Sequence, residues 1–159
     1  MLNKILPRSA AKNLRQEYAT KKLVLTNGCF DLLHLGHVRY LAAARGLGDL
    51  LVVGLNGDES VRELKGQDRP INSQADRAEI LAALAAVDHV IVFEEKRVTE
   101  LLKDLRPDIY TKGGDYTRES LDPGERRLLE ALGTRIEIVP LVEGKSTTNL
   151  IGTIKGGPR

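Results

Sequence analysis

The feature that most constrains this chain is an alternation. Five short, apolar, β-rich runs are separated by helical patterns, with neither a linker nor an internal repeat between them. The runs are residues 23–26, 50–55, 89–93, 108–111 and 135–142. Helical patterns occupy residues 37–45, with Gly46 and Gly48 placed to stop them, and residues 58–64 behind an Asp58 cap. Further helices are expected over 74–86 behind a Ser73 cap, 98–105, 123–132 up to Gly133, and 147–154. An amphipathic helix from a Ser9 cap to Tyr18 opens the chain. Strands that are joined through helices have to cross over and run parallel, so helices cover both faces of the sheet. Ligands of such sheets bind beyond the carboxyl ends of the strands, where the strand order reverses. The residues directly after each strand therefore carry the functional reading.

The expected fold is a single Rossmann-like, doubly wound α/β domain over 1–159, with a five-stranded parallel sheet. Residues 1–20 form an N-terminal helical extension and 22–154 the catalytic core. A net charge of +2, from 24 basic against 22 acidic residues, gives no broad footprint for nucleic acid. Any anion must be captured locally. No apolar run is long enough for a membrane span or a signal peptide, and one cysteine cannot form an internal disulfide. A cytoplasmic setting is the expectation.

The segment after the first run, Asn27 to His37, leaves a strand and enters a helix, so its backbone amides are free to meet a ligand. Gly36 removes a side chain where a phosphate would approach, and His34 and His37 can project together as two donors at a positive helix end. A surface pair and a metal pair are the competing readings, but no cysteine or acidic cluster near His34 completes a zinc shell. Asn27, Gly28 and Phe30 are expected to line a nucleotide cleft, with a core role equally open to Phe30. Asp31 is read as a substrate ligand or a helix-entry residue. Cys29 is not read as a nucleophile, because no general base partners it.

Later segments supply the rest of the site. Lys112, beside Gly113 and Gly114, suits phosphate neutralisation at a strand end, while Asp115 and Tyr116 bind sugar hydroxyls or only shape the loop. Ser146, Thr147 and Thr148 stand at a helix start, where hydroxyls and free amides hold phosphates or simply cap. Lys65 and Arg69 lie in a loop able to fold over phosphate. Arg77 reads as either functional or a surface charge, and Asn56 and Asp58 as sugar ligands or caps.

These segments carry a family resemblance. Gly28-Cys29-Phe30-Asp31-Leu32-Leu33-His34-Leu35-Gly36-His37 resembles the signature of the cytidylyltransferase-like nucleotidyltransferases. Leu64-Lys65-Gly66, Arg69-Pro70-Ile71-Asn72, Asp76-Arg77-Ala78-Glu79, Val87-Asp88-His89-Val90, Lys112-Gly113-Gly114-Asp115-Tyr116 and Lys145-Ser146-Thr147-Thr148 follow in order. Together they are similar to the adenylyltransferase domain of bacterial ADP-heptose synthesis, a branch involved in lipopolysaccharide assembly. The resemblance implies AMP transfer from ATP to a heptose 1-phosphate. It assigns catalysis to His34, His37 and Lys112, nucleotide contacts to Ser146 through Thr148, and acceptor contacts to Asp31, Lys65, Asp115 and Tyr116. It also implies Mg²⁺ held by the nucleotide phosphates rather than by the protein, a homodimer, and a separate sugar kinase that makes the substrate. The nearest alternative is a cytidylyltransferase using CTP and glycerol 3-phosphate or a related alcohol phosphate. A noncatalytic nucleotide-binding module is the alternative of another class.

Overall fold

The computed structural model describes residues 2–114, 116–140, 147–154 and 156, with the side chains of Leu2 and Asn149 left aside. Six parallel strands form one sheet: β1 (Ile5–Leu6), β2 (Leu23–Gly28), β3 (Leu50–Asn56), β4 (His89–Phe93), β5 (Ile109–Gly113) and β6 (Arg135–Val139). Their order is β1-β4-β3-β2-β5-β6. The expected sheet of five strands is thus corrected to six. Ile5 pairs with Val90 and Leu6 with Ile91, and two residues are too few to show a strand period in sequence.

The helices are α1 (Ala11–Glu17), α2 (Leu35–Arg45), α3 (Asp58–Lys65), α4 (Gln74–Ala83), α5 (Thr99–Leu105), α6 (Pro123–Ala131) and α7 (Thr147–Ile154). Successive strand residues point to opposite faces, so each central strand feeds two cores. Leu23, Leu25, Leu50 and Val52 pack with Leu14 of α1, Leu101, Leu102 and Leu105 of α5, and Leu129 of α6. Val24, Leu51, Val53 and Leu55 pack with Tyr40 and Leu41 of α2 and Ala78, Leu81 and Ala82 of α4.

Several helix ends differ from the sequence expectation, each for an identifiable reason. Ser73 caps α4 as expected, its hydroxyl accepting the Asp76 N–H. That helix stops at Ala83 rather than 86, because Leu84 turns extended and Lys4 Nζ donates to the carbonyls of Leu84 and Val87. Asp58 does not cap α3; Gly57 holds that position and the Asp58 carboxylate accepts from Arg77 instead. Ser9 does not cap α1 either, since residues Arg8–Ala10 form a 3₁₀ turn ahead of it. Gly133 sits at φ +70° and ends α6, a conformation that costs glycine little. β6 ends at Val139 rather than running on, since Pro140 has no N–H for the ladder; the rest of the expected run, 141–142, lies outside the described residues.

Candidate active site

Strand order reverses between β2 and β5. From β2 the chain builds outward through β3 and β4, then returns to place β5 on the other side of β2. Thr26 of β2 pairs with Thr111 of β5, so both strands end side by side. A cleft of about 490 Å³ opens there, lined among others by Asn27, Gly28, Phe30, Asp31, His34, His37, Lys65, Lys112, Tyr116, Thr147 and Thr148. This is where a doubly wound sheet binds its ligands. Gly36 is buried in the first turn of α2.

Both histidines are fixed by how α2 begins. His34 is extended and forms the N-cap, while His37 sits one turn in. Their rings lie 3.9 Å apart between centroids, tilted by 31°. The backbone N–H of His34 points at His37 Nδ1 over 3.4 Å. Because that nitrogen accepts, the imidazole proton resides on Nε2, a neutral donor. Burial chiefly, and then the neighbouring His34, push the His37 pKa from 6.5 down to about 4. Phe30 packs edge-on against His37 at 5.4 Å. It adopts φ 44°, and Gly28 leaves room for its ring, since a Cβ there would stand 3.1 Å from Phe30 Cε2. Beneath the motif, Tyr40 Oη lies 2.7 Å from Thr26 Oγ1 and 2.9 Å from Thr111 Oγ1, tying α2 to both switch-point strands.

Asp31 is nearly inaccessible at 3% exposure. Its carboxylate accepts from Arg69 Nε at 2.6 Å and from the backbone N–H groups of Ile71 and Asn72. Burial pushes this carboxyl up, but the Asn72 and Ile71 donors and the Arg69 guanidinium outweigh it and hold the pKa below the usual carboxylate range. The acid is spent on seating the 69–72 loop against the β2–α2 turn.

Arg77 is the residue that sequence reasoning underread. It is 1% exposed, far from a surface charge. Its guanidinium donates to the carbonyls of Cys29, Asn56 and Asn72 and to the Asp58 carboxylate. One side chain thereby joins the ends of β2 and β3, the 69–72 loop and the start of α3. The signal was present: Arg77 shares the buried face of α4 with Ala78, Leu81 and Ala82.

Lys112 leaves the end of β5 into the cleft. Its ammonium donates to the Asn27 carbonyl at 3.3 Å and lies 5.8 Å from the Tyr110 ring and 5.1 Å from the Tyr116 ring. Tyr110 in turn donates to Asn27 Oδ1 at 2.6 Å. Thr147 Oγ1 donates to the Leu32 carbonyl, which places the start of α7 beside the histidine turn. Asp115 and Ser146 lie outside the described residues, as does Lys145. Glu125, not singled out in the sequence, is buried in the cleft wall on α6; burial raises its pKa, opposed by Lys112 and Arg97. Burial also raises the Cys29 thiol, opposed by Lys65, Arg77, Lys112 and Arg69. A raised thiol is a poor nucleophile. Among the described residues, no three His, Cys, Asp or Glu side chains converge as a metal site.

A strand-to-helix turn with paired histidines, facing a lysine across the switch point of a parallel sheet, defines a nucleotide-phosphate-handling α/β protein. Comparison with known proteins narrows this further. The family model described as cytidylyltransferase-like matches residues 25–151, and the chain belongs to that family of nucleotidyltransferases. It is 57% identical over 134 residues to the bifunctional protein HldE of Syntrophotalea carbinolica, covering 84% of this chain and 27% of that one. HldE of Campylobacter fetus is 50% identical over 143 residues, covering 90% and 30%. The chain therefore spans less than a third of the length of these relatives. The crystal structure of a lipopolysaccharide core biosynthesis protein from Thermoplasma volcanium superposes with a TM-score of 0.64 at 30% identity, covering 79% of this chain and 99% of that one. These likenesses agree with the resemblance to the adenylyltransferase domain of ADP-heptose synthesis read from the motif segments. Among the described residues no helix is long and apolar enough to cross a membrane.

Proposed function

We propose that this chain transfers AMP from ATP to a heptose 1-phosphate, giving ADP-heptose and pyrophosphate. The observation that carries the reading is the meeting of His34, His37 and Lys112 in one cleft at the β2–β5 switch point. An oxygen of the sugar phosphate attacks the α-phosphorus, and the bond to the β-phosphate oxygen breaks. The nucleophile is already an anion near neutral pH, so alignment and charge neutralisation are what the protein supplies. Neutral His37 donates from Nε2 to a phosphoryl oxygen, His34 lies beside it, and Lys112 approaches the same group from the end of β5. The amides and hydroxyls that open α7 receive the distal phosphates.

The lining of the cleft fits a phosphate ligand that brings its own metal. Its cations outnumber its carboxylates, and Asp31 is committed to Arg69. Mg²⁺ carried by the triphosphate would offset phosphate charge when bound. We also place the enzyme in the cytoplasm, as a homodimer, downstream of a sugar kinase that phosphorylates the heptose; binding of nucleic acid or membrane forms no part of this reading.

The family description leaves CTP and an alcohol phosphate such as glycerol 3-phosphate as the second reading. Pyrophosphate release, measured with ATP and CTP against heptose 1-phosphate and glycerol 3-phosphate, separates them. The proposal predicts turnover for ATP with the heptose phosphate. Preference for CTP with glycerol 3-phosphate would replace it, and nucleotide binding without turnover of any acceptor would make the chain a binding module.

A further inference from the structure

The cleft holds more positive charge than its own carboxylates balance. Arg69 is paired with Asp31, Arg97 with Asp122 at 3.3 Å, and Lys112 lies in the field of buried Glu125. The two remaining lining cations, Lys65 and Lys96, form no ion pair among the described residues. Both stand on the same side of the switch point. Lys65 ends α3, which follows β3, and Lys96 lies in the crossover that follows β4. The α7 hydroxyls enter instead beside the histidine turn, where Thr147 Oγ1 donates to the Leu32 carbonyl. Two anions must meet in this reaction, and each needs its own countercharge.

The crossover that carries Lys96 is pinned on both sides of it. Before it, the Glu95 carbonyl accepts from Ser60 Oγ at 3.2 Å, and Ser60 is bonded to Asn56 at the end of β3. After it, Arg97 reaches Asp122 at the head of α6. Val98 is fully buried at the head of α5. Lys96 is thus an exposed ammonium on a fastened backbone in the cleft wall.

We propose that Lys96, together with Lys65, holds the phosphate of the acceptor, and that the pinned crossover sets where that phosphate lies relative to His37. This inference rests on reading the reaction as nucleotidyl transfer to a phosphorylated sugar. Steady-state kinetics of Lys96→Ala and Lys96→Arg with ATP and heptose 1-phosphate test it. Loss of one charge-assisted phosphate contact raises KM for the sugar phosphate about tenfold or more, while KM for ATP stays within about twofold. Lys96→Arg recovers most of the loss, which a purely structural role would not require. Equal changes for both substrates, or none, overturn the inference.

A second measurement keeps the site distinct from the identity of the sugar. The protein is saturated with α,β-methylene ATP and titrated with inorganic phosphate, followed by ³¹P NMR. Phosphate affinity falls about tenfold in Lys96→Ala, with affinity for the analogue unchanged. Phosphate binding that ignores Lys96 overturns the site even where ADP-heptose is made. Phosphate binding that depends on Lys96, without turnover of heptose phosphate, supports the site and removes the proposed acceptor.

Discussion

At the scale of the residue, the proposed reaction asks His37 to stay neutral. Its pKa of about 4 means that the free protein keeps Nε2–H as a donor through the physiological range. Below the ordinary imidazole pKa an unfolded chain takes up a proton that the folded chain refuses until about pH 4, so this group lowers native stability as the solution is acidified from pH 6.5 toward 4. Bound triphosphate reverses the local field and raises the His37 pKa. NMR titration of the imidazole, with and without ATP, checks both statements; a free-protein pKa near 6.5 contradicts them. Replacing His37 with Ala should cut turnover by about three orders of magnitude, a size in keeping with loss of a preorganised donor to the transition state. Circular dichroism should stay native. Arg77 makes the opposite kind of claim. Arg77→Met leaves Asp58 and three carbonyls without their donor and should cost about 3–5 kcal/mol in urea unfolding, with Arg77→Lys recovering little, because an ammonium lacks the planar fork.

At the scale of the element, sequence patterns located most helices and five of the strands, because periodicity and caps are local signals. Ser73 was legible, since a cap needs only its own helix start. Ser73→Ala should lower stability by about 1 kcal/mol in thermal or urea melts. The end of α4 and the short first strand depend on distant partners. Lys4 reaches across 83 residues to the Val87 carbonyl, and β1 exists only because β4 offers an edge. The site divides the same way. The histidine turn and Lys112 announce themselves by residue type after a strand. Asp31 read as either a substrate ligand or a helix-entry residue, because its partners Arg69 and Asn72 lie about forty residues away and leave no local mark. Glu125 and Lys96 belong to a wall that forms only when α6 and the β4–α5 crossover meet.

At the scale of the whole molecule, two cores hold a cleft whose walls come from opposite faces of the sheet. The histidines stand on the α2 side, Glu125 and Arg97 on the α5–α6 side, and Lys112 between them. The N-terminal segment packs into both cores, Ile5 into one and Leu14 into the other, and Leu14 is 4% exposed against α5. Leu14→Ala should destabilise by about 3 kcal/mol, as buried leucine truncations do, while leaving KM for ATP unchanged. A shift in KM would mean that the cleft's geometry depends on that distant core. The central claim is that this cleft joins AMP to a sugar phosphate, and the most direct measurement of it is ³¹P NMR of the protein with ATP, Mg²⁺ and heptose 1-phosphate. The predicted result is a pair of diphosphate signals from ADP-heptose rising together with free pyrophosphate. ATP left unchanged, or consumed only to AMP or ADP without a sugar nucleotide, would contradict it.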